Sequence, residues 1–198
     1  MELYDISQEI LSCAVYPGDP SPSRTVLASM DDGDSYSLTA FSMCAHNGTH
    51  VDAPAHFIRG SKTVDALGLD PFIGMAFVAG HEGPLTAADA ESLLQKALAF
   101  DARCAGRILI KGSAVVTLEA AERFAAAGLK LLGNESQSVG PEDAPMAVHK
   151  ALLGAGVILL EGIRLAHVPE GGYLLNAAPL NIAGAEGSPC RAVLIALP

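Results

Sequence analysis

The sequence predicts a single mixed α/β domain over residues 1–198, on three observations. The first third is rich in Gly, Pro, Ser, Thr and Asp with short alternating runs, which is typical of strands joined by turns. The rest alternates helical patterns with apolar runs, as in a sheet covered by helices. A chain of 198 residues is also long enough for one domain with a sizeable core. We therefore expect an α/β layer with extra strands packed on it.

The individual elements follow from turn residues, capping residues and the spacing of leucines. The run Tyr16-Pro17-Gly18-Asp19-Pro20 predicts a turn whose backbone is restricted by two prolines. The first two expected strands are Thr25–Ser29 and Tyr36–Phe41. The expected helices are Thr86–Ala99, Thr117–Ala127 and Ala144–Leu153. The buried strands between and after them are Arg107–Lys111, Lys130–Leu132 and Val157–Leu160.

The net charge and the hydrophobic content of the chain limit the kinds of molecule that it is expected to bind. The formal net charge is -10, from 12 basic and 22 acidic residues, and such a surface repels phosphate backbones and anionic lipids. We therefore expect no nucleic acid and no membrane as partner. The first residues are acidic where a signal peptide is basic, and no apolar stretch approaches the roughly 20 residues of a bilayer span, which predicts a cytoplasmic location. Hydrophobic residues make up 50%, which favours burial of surface between copies of the chain in a homo-oligomer.

The strongest signal for chemistry is the segment His46–His56, which holds three of the six histidines and one aspartate. Its Gly, Thr, Val and Pro residues disfavour a helix, so it should be extended or looped. If it is extended, alternate side chains share a face, which places His46, His50, Asp52 and His56 on one side. Imidazole and carboxylate are ligands for zinc and manganese, and three protein ligands leave a position open for water. We predict a catalytic metal site; the alternative is a chance cluster in a polar loop.

A carboxylate inside an apolar run points to the same site. Glu161 follows Val157–Leu160, and burying an unpaired carboxylate is costly. Glu161 should therefore have a cationic partner, or else be exposed at the end of its strand. His149 lies on the preceding predicted helix, close enough in sequence for the fold to bring it to Glu161. Together these two residues would complete the site or hold a second ion.

The run HNGTHVDAPAHF closely resembles the H-x-G-T-H-x-D-x-P-x-H-F signature of the cyclase family. That family includes bacterial kynurenine formamidases, which are arylformamidases, and isatin hydrolases. The resemblance extends to Tyr4-Asp5-Ile6-Ser7, the YPGDP loop, residues 133–139 and the run HKALLGAGVILLEG. It implies a swivelling β/β/α fold that is normally assembled as a homo-oligomer.

The resemblance also implies roles for particular residues. His46, His50 and Asp52 would bind a first ion, and Asp52, His149 and Glu161 would match the ligands of a second. His56 would match the catalytic proton donor and acceptor. Kynurenine formamidases carry a Trp in the loop that matches YPGDP, where it contacts the substrate; here Tyr16 occupies that position, and the chain has no Trp.

The expected activity is hydrolysis of a small amide such as an N-formyl aryl amine. Zn²⁺ is the expected cofactor as one or two ions, with Mn²⁺ as the alternative. A divalent ion lowers the pKa of bound water, and His56 would shuttle the proton to the leaving nitrogen. Two alternatives stay open: ring opening of a cyclic amide or lactone, and a non-catalytic protein that keeps the metal for stability.

Overall fold

A mixed β-sheet forms the centre of the fold. The computed structural model describes residues 1–141 and 144–197, in which thirteen strands and three α-helices are present. The strands are β1 Glu2–Asp5, β2 Ser23–Ala28, β3 Leu38–Ser42, β4 His50–Asp52, β5 Ile73–Gly80, β6 Gly83–Leu85, β7 Arg107–Lys111, β8 Ala114–Val116, β9 Leu131–Asn134, β10 Ile158–Glu161, β11 Gly171–Asn176, β12 Gly187–Pro189 and β13 Val193–Ala196. The helices are α1 Ala87–Phe100, α2 Leu118–Ala126 and α3 Met146–Gly154.

Nine of the strands in the described residues join in one sheet, in the order β1-β13-β11-β5-β7-β9-β10-β4-β12. The four middle strands, β5, β7, β9 and β10, are parallel, and each is connected to the next through a helix. Such crossovers are what parallel neighbours require. The strands on both sides of this group pair antiparallel. The predicted α/β layer with additional strands is therefore confirmed.

Apolar residues fill both faces of the sheet. On β7, Ile108 and Ile110 belong to the cluster under the helices, whereas Leu109 belongs to the cluster on the opposite face. This alternation follows from the two-residue period of a strand. The second cluster is built largely from the strands themselves and from the loops that follow them. The longest described helix, α1, has 14 residues, and no helix in the described ranges is long and apolar enough to cross a bilayer.

The predicted helices and buried strands are present with small shifts at their ends. Helix α1 begins directly after Thr86, whose side chain and that of Asp89 form a reciprocal capping box. Helix α3 begins two residues later than predicted, because Pro145 occupies its N-cap with a backbone angle that suits a helix start. Strand β7 has the predicted bounds, and β9 and β10 begin one residue later than expected.

The two N-terminal strands predicted from alternation form a separate hairpin. β2 and β3 pair with each other and with no other strand of the described residues. Every residue of β3 is exposed, and large apolar side chains along the hairpin lie in solvent. These exposed side chains are Val26, Leu27, Met30, Tyr36, Leu38 and Phe41.

Candidate metal centre

The site is built where three neighbouring strands meet at one end of the sheet. β4 lies between β10 and β12 and is antiparallel to both. In this register His50 lies directly opposite Glu161, and Asp52 lies opposite Gly187. Side chains opposite each other in adjacent strands are neighbours on the same face, so the pairing brings the histidine and both carboxylates together.

The segment His46–His56 reaches the site by turns rather than as one extended strand. Only His50–Asp52 is strand; His46 lies in the turn before it and His56 ends a short 3-10 helix, Pro54–His56. The alternation that the sequence suggested for an extended chain is therefore wrong for His46 and His56. Their rings nevertheless stack on each other, with centroids 4.1 Å apart, because both turns fold back towards β4.

The structure brings together all five residues that the sequence proposed as ligands. His50 Nε2 lies 3.4 Å from both Asp52 Oδ1 and Glu161 Oε2. His149 Nε2, from α3, lies 3.4 Å from Glu161 Oε1 and 3.7 Å from Asp52 Oδ2. His46 Nδ1 donates to Asp52 Oδ1 over 2.9 Å. Glu161 is buried between histidines, so the alternative of an exposed strand-end carboxylate is wrong.

Burial and mutual attraction control the charges of this cluster. Burial disfavours the charged form of His50, but attraction to Asp52 and Glu161 outweighs that cost and raises its pKa to about 10. Burial alone would raise the pKa of Asp52, but its contacts with His46 and His50 hold it well below the usual range. The pKa of His149 is also raised, because attraction to Glu161 exceeds the cost of burial. The two buried carboxylates, Asp52 and Glu161, thus favour a positive charge between them, on histidines or on a bound cation.

Backbone carbonyls fix the orientation of two of the histidines. His50 Nδ1 donates to the Gly48 carbonyl over 3.0 Å, and His149 Nδ1 donates to the Pro145 carbonyl over 2.8 Å. A carbonyl oxygen only accepts, so each Nδ1 carries a proton and each Nε2 is turned towards the carboxylates. Histidines that bind metals are usually held in this way through their second nitrogen.

The geometry of the donor atoms fits a metal ion. Among the described residues, three groups of three donors lie within 4.8 Å of one another, and the two that share the buried Asp52 are His46 with His50 and Asp52, and Asp52 with His149 and Glu161. The third group, His46 with His56 and Glu186, consists of half-buried residues. Zinc ligands lie about 2.0–2.2 Å from the ion, so ligands at a tetrahedral angle are roughly 3.4 Å apart. That separation matches the His50–Asp52 contact in the first group and the His149–Glu161 contact in the second, each of 3.4 Å. Asp52 Oδ2 is moreover buried without a hydrogen-bond partner, and a cation would satisfy it.

A cavity of about 150 Å³ opens onto this cluster. His56 and Tyr16 both line it, and burial lowers the pKa of His56. The YPGDP loop therefore lies at the site, where the sequence analysis expected a substrate contact. Further residues that complete the wall are Asp19, Phe57, Gln137, Ser138 and Pro145.

Two residues near the site were not identified from the sequence. The amide of Gln137 donates to the Gly48 and Ala14 carbonyls, each over 3.1 Å, and so ties the histidine loop to the segment before Tyr16. The carboxylate of Glu186, from the residue before β12, contacts His46 Nε2 over 3.3 Å. Gln137 lies in the segment 133–139 that shares the family resemblance but was given no role there, and Glu186 lies in no recognised motif. Only the folded chain brings the two residues to the histidines.

Comparisons with known proteins assign the chain to a family. A family model described as "Putative cyclase" matches residues 4–141. The chain belongs to the cyclase family. A relative named kynurenine formamidase from Salinibacter ruber is 37% identical over 98% of this chain and 97% of its own length.

Solved structures of the family share the fold. One is titled as a predicted metal-dependent hydrolase from Bacillus stearothermophilus; it is 28% identical with a TM-score of 0.80 and covers 98% of this chain and 97% of its own. Another is isatin hydrolase A from Labrenzia aggregata, which is 21% identical with a TM-score of 0.81 and covers 98% of this chain and 93% of its own. The second likeness supports the fold alone. The swivelling β/β/α fold expected from the resemblance is therefore confirmed.

Proposed function

We propose that residues 1–198 form one metal-dependent hydrolase domain that cleaves a small amide, of the arylformamide type that kynurenine formamidases hydrolyse. The observation that carries this proposal is the pair of three-donor groups beside His56 at the base of a small cavity. Full-length similarity to relatives named kynurenine formamidase supports the choice of an amide. The cavity, of about 150 Å³, is large enough to hold a benzene-sized ring, which is compatible with an aryl substrate.

The proposed ligands divide between two ions that share Asp52. His46, His50 and Asp52 would hold one ion, and Asp52, His149 and Glu161 would hold the other. Zinc suits a set of imidazoles and carboxylates, and manganese is the alternative. When bound, a divalent ion supplies a water of lowered pKa and polarises the substrate carbonyl.

His56 is the proposed proton carrier. Its ring is half-buried against His46 and Phe57 and lines the cavity, so it can reach a substrate held there. Burial lowers its pKa, which keeps a ring nitrogen free to accept a proton from the attacking water. The same nitrogen then gives that proton to the leaving amine. Tyr16, on the cavity wall, is the proposed contact for the aromatic ring of the substrate.

The first test is metal content by mass spectrometry on protein purified without a tag or chelator, with His50→Ala in parallel. We expect one or two equivalents of zinc or manganese, lost in the variant. The metal-loaded enzyme is then assayed with N-formylkynurenine, formanilide and isatin. Cleavage of the formamides supports the proposal, whereas opening of isatin alone supports the ring-opening alternative.

His56→Ala separates catalysis from metal binding. We expect metal content to be retained and turnover to fall by about 100-fold or more, the usual contribution of a general acid–base. Full turnover with metal bound would show that the role assigned to His56 is wrong. Chelation separates the enzyme from a non-catalytic protein: loss of turnover with the fold intact supports the enzyme, and unfolding with no prior turnover supports a structural metal.

We further propose that the enzyme is a cytoplasmic homo-oligomer, a dimer or tetramer. Six large apolar side chains are exposed on the β2–β3 hairpin, and this concentration in one short segment supports an interface with a second copy. The hairpin follows directly after the YPGDP loop, so an interface there would lie near the cavity. All four cysteines are free thiols, which agrees with a reducing compartment.

A further inference from the structure

In each of the three histidines of the proposed metal centre, one ring nitrogen faces the carboxylate of Asp52, of Glu161 or of both, and the other faces away from them. The group that contacts the second nitrogen differs among the three. In His50 and His149 the second nitrogen is Nδ1, and it donates a hydrogen bond to a backbone carbonyl. His46 is different: its Nδ1 faces Asp52, and its Nε2 faces the side chain of Glu186 at 3.3 Å. The orientation of His46 therefore depends on a side chain, which can be removed by substitution.

The residue after Glu186 shapes the same position. Gly187 is buried and pairs with Asp52 across the β4–β12 ladder, so any side chain at 187 would stand beside that carboxylate. A Cβ at Gly187 would lie 2.5 Å from His46 Cε1 and 2.9 Å from His46 Nε2. The Cε1 edge of the imidazole ring thus lies against the bare backbone of Gly187, and a side chain there would displace the ring.

The chain around Glu186 is itself anchored to the metal-centre strand. Ala53, the residue after Asp52, donates its backbone N–H to the Glu186 carbonyl over 2.8 Å. Ala185 accepts a backbone hydrogen bond from Val64, also over 2.8 Å. These bonds fix the position of the Glu186 backbone relative to β4. The Glu186 side chain therefore extends towards His46 from a backbone that is held in place.

We propose that Glu186 and Gly187 form a cradle for His46, in which Glu186 is the positioning residue that accepts the Nε2 proton and turns Nδ1 towards Asp52. This inference rests on the metal centre of the proposed function and adds two residues to it. The Glu186 carboxylate thus fixes the ring orientation of His46, as the Gly48 and Pro145 carbonyls fix those of His50 and His149. A carboxylate behind a metal-binding histidine typically contributes 10- to 100-fold to metal affinity.

The test is a zinc titration against a chromophoric chelator, with two binding constants fitted for each variant. Glu186→Ala is expected to weaken one constant about tenfold or more and to leave the other unchanged. Glu186→Gln keeps an acceptor oxygen and should restore affinity to within about threefold of the wild type. Gly187→Ala should weaken the same constant through displacement of the ring. Glu122→Ala and Gly68→Ala, both at exposed positions, are the matched controls and should bind zinc normally.

The outcomes separate the cradle from a general effect on the fold. In a His46→Ala background, Glu186→Ala should leave the remaining zinc affinity unchanged, and thermal unfolding of the metal-free single variant should match that of the wild type. Zinc affinity within twofold of wild type in Glu186→Ala would overturn the inference alone. An equal loss in the His46→Ala background would also overturn it. Absence of zinc binding by the wild type would overturn both this inference and the proposed function. If Gly187→Ala fails to fold, the Glu186 variants still decide.

Discussion

Asp52 is the proposed ligand that the two proposed ion sites share, and this gives a prediction that distinguishes it from the other proposed ligands. Its Oδ1 contacts His46 and His50, and its Oδ2 faces His149. Asp52→Asn keeps the shape of the side chain, removes its charge and replaces one oxygen by a group that does not bind a cation. Glu161→Gln makes the same chemical change in only one of the two groups. We expect Asp52→Asn to abolish both ions and Glu161→Gln to abolish one.

The size of the effect follows from burial. Asp52 is fully buried, and removing one partner of a buried charged pair costs about 3–5 kcal/mol. That corresponds to a loss of about 100-fold to several thousandfold in affinity for each ion. With zinc at about 100 times its Kd, each occupied site stabilises the fold by about 2.7 kcal/mol, so two sites contribute about 5 kcal/mol. For a chain of this length, that corresponds to roughly 10–20 °C in Tm.

The assay is thermal unfolding of the metal-free protein with and without zinc, together with metal content by mass spectrometry. Wild-type protein should show the full zinc-dependent rise in Tm, Glu161→Gln about half of it, and Asp52→Asn essentially none. Glu122→Gln, on the exposed side of α2, is the control for an acid-to-amide change and should behave as the wild type. If Asp52→Asn and Glu161→Gln lost the same share of the rise, Asp52 would not bridge two ions, and the argument from its two oxygens would fail.

Three further predictions concern pH, the core and assembly. Because the pKa of His50 is raised to about 10, its stabilising charge is fully present below pH 6.5 and is lost as the pH rises towards 10. The Tm of the metal-free protein should therefore fall over that range. Zinc affinity should rise over the same range, since the ion and the proton compete for His50. Gly133→Ala places a Cβ against Leu109 and within 3.2 Å of Ile163, so urea unfolding should show a loss of about 1–3 kcal/mol. Leu38→Ser with Phe41→Ser, on the exposed hairpin, should lower the mass measured by light scattering to that of one chain.

Each of these has a result that would contradict it. A Tm of the metal-free protein that is constant from pH 6.5 to 10 would mean that His50 carries no stabilising proton. Gly133→Ala should be compared with Gly68→Ala, where nothing lies near the added methyl group; equal stability of the two would show that the core around Leu109 relaxes freely. An unchanged mass for the hairpin variant, with the fold intact, would place the interface elsewhere.

Local pattern was sufficient for most of the fold. The helices depend on capping residues and leucine spacing within the same short segment, and Thr86 begins α1 as its sequence indicates. The run Arg107–Lys111 is a strand with the predicted bounds, because five residues with a buried apolar centre are too short for a helix. Local patterns could not predict the order of the nine strands in the sheet, because β4 and β12 pair although more than a hundred residues separate them in the chain. Their register depends on tertiary packing.

The site divides in the same way. The sequence by itself determined the chemical types: imidazoles and a carboxylate in one short run, and Glu161 as a charge that a buried strand must compensate. Only the tertiary structure decided how they meet, because His46 and His56 arrive through turns and His149 through α3, not by alternation along one strand. Glu186 carries no local signal, since a glutamate before a glycine is ordinary in a sequence. Only the pairing of β12 with β4 brings it, half-buried, against His46. Residue chemistry is a local property of the chain, whereas distances between remote residues are created by folding.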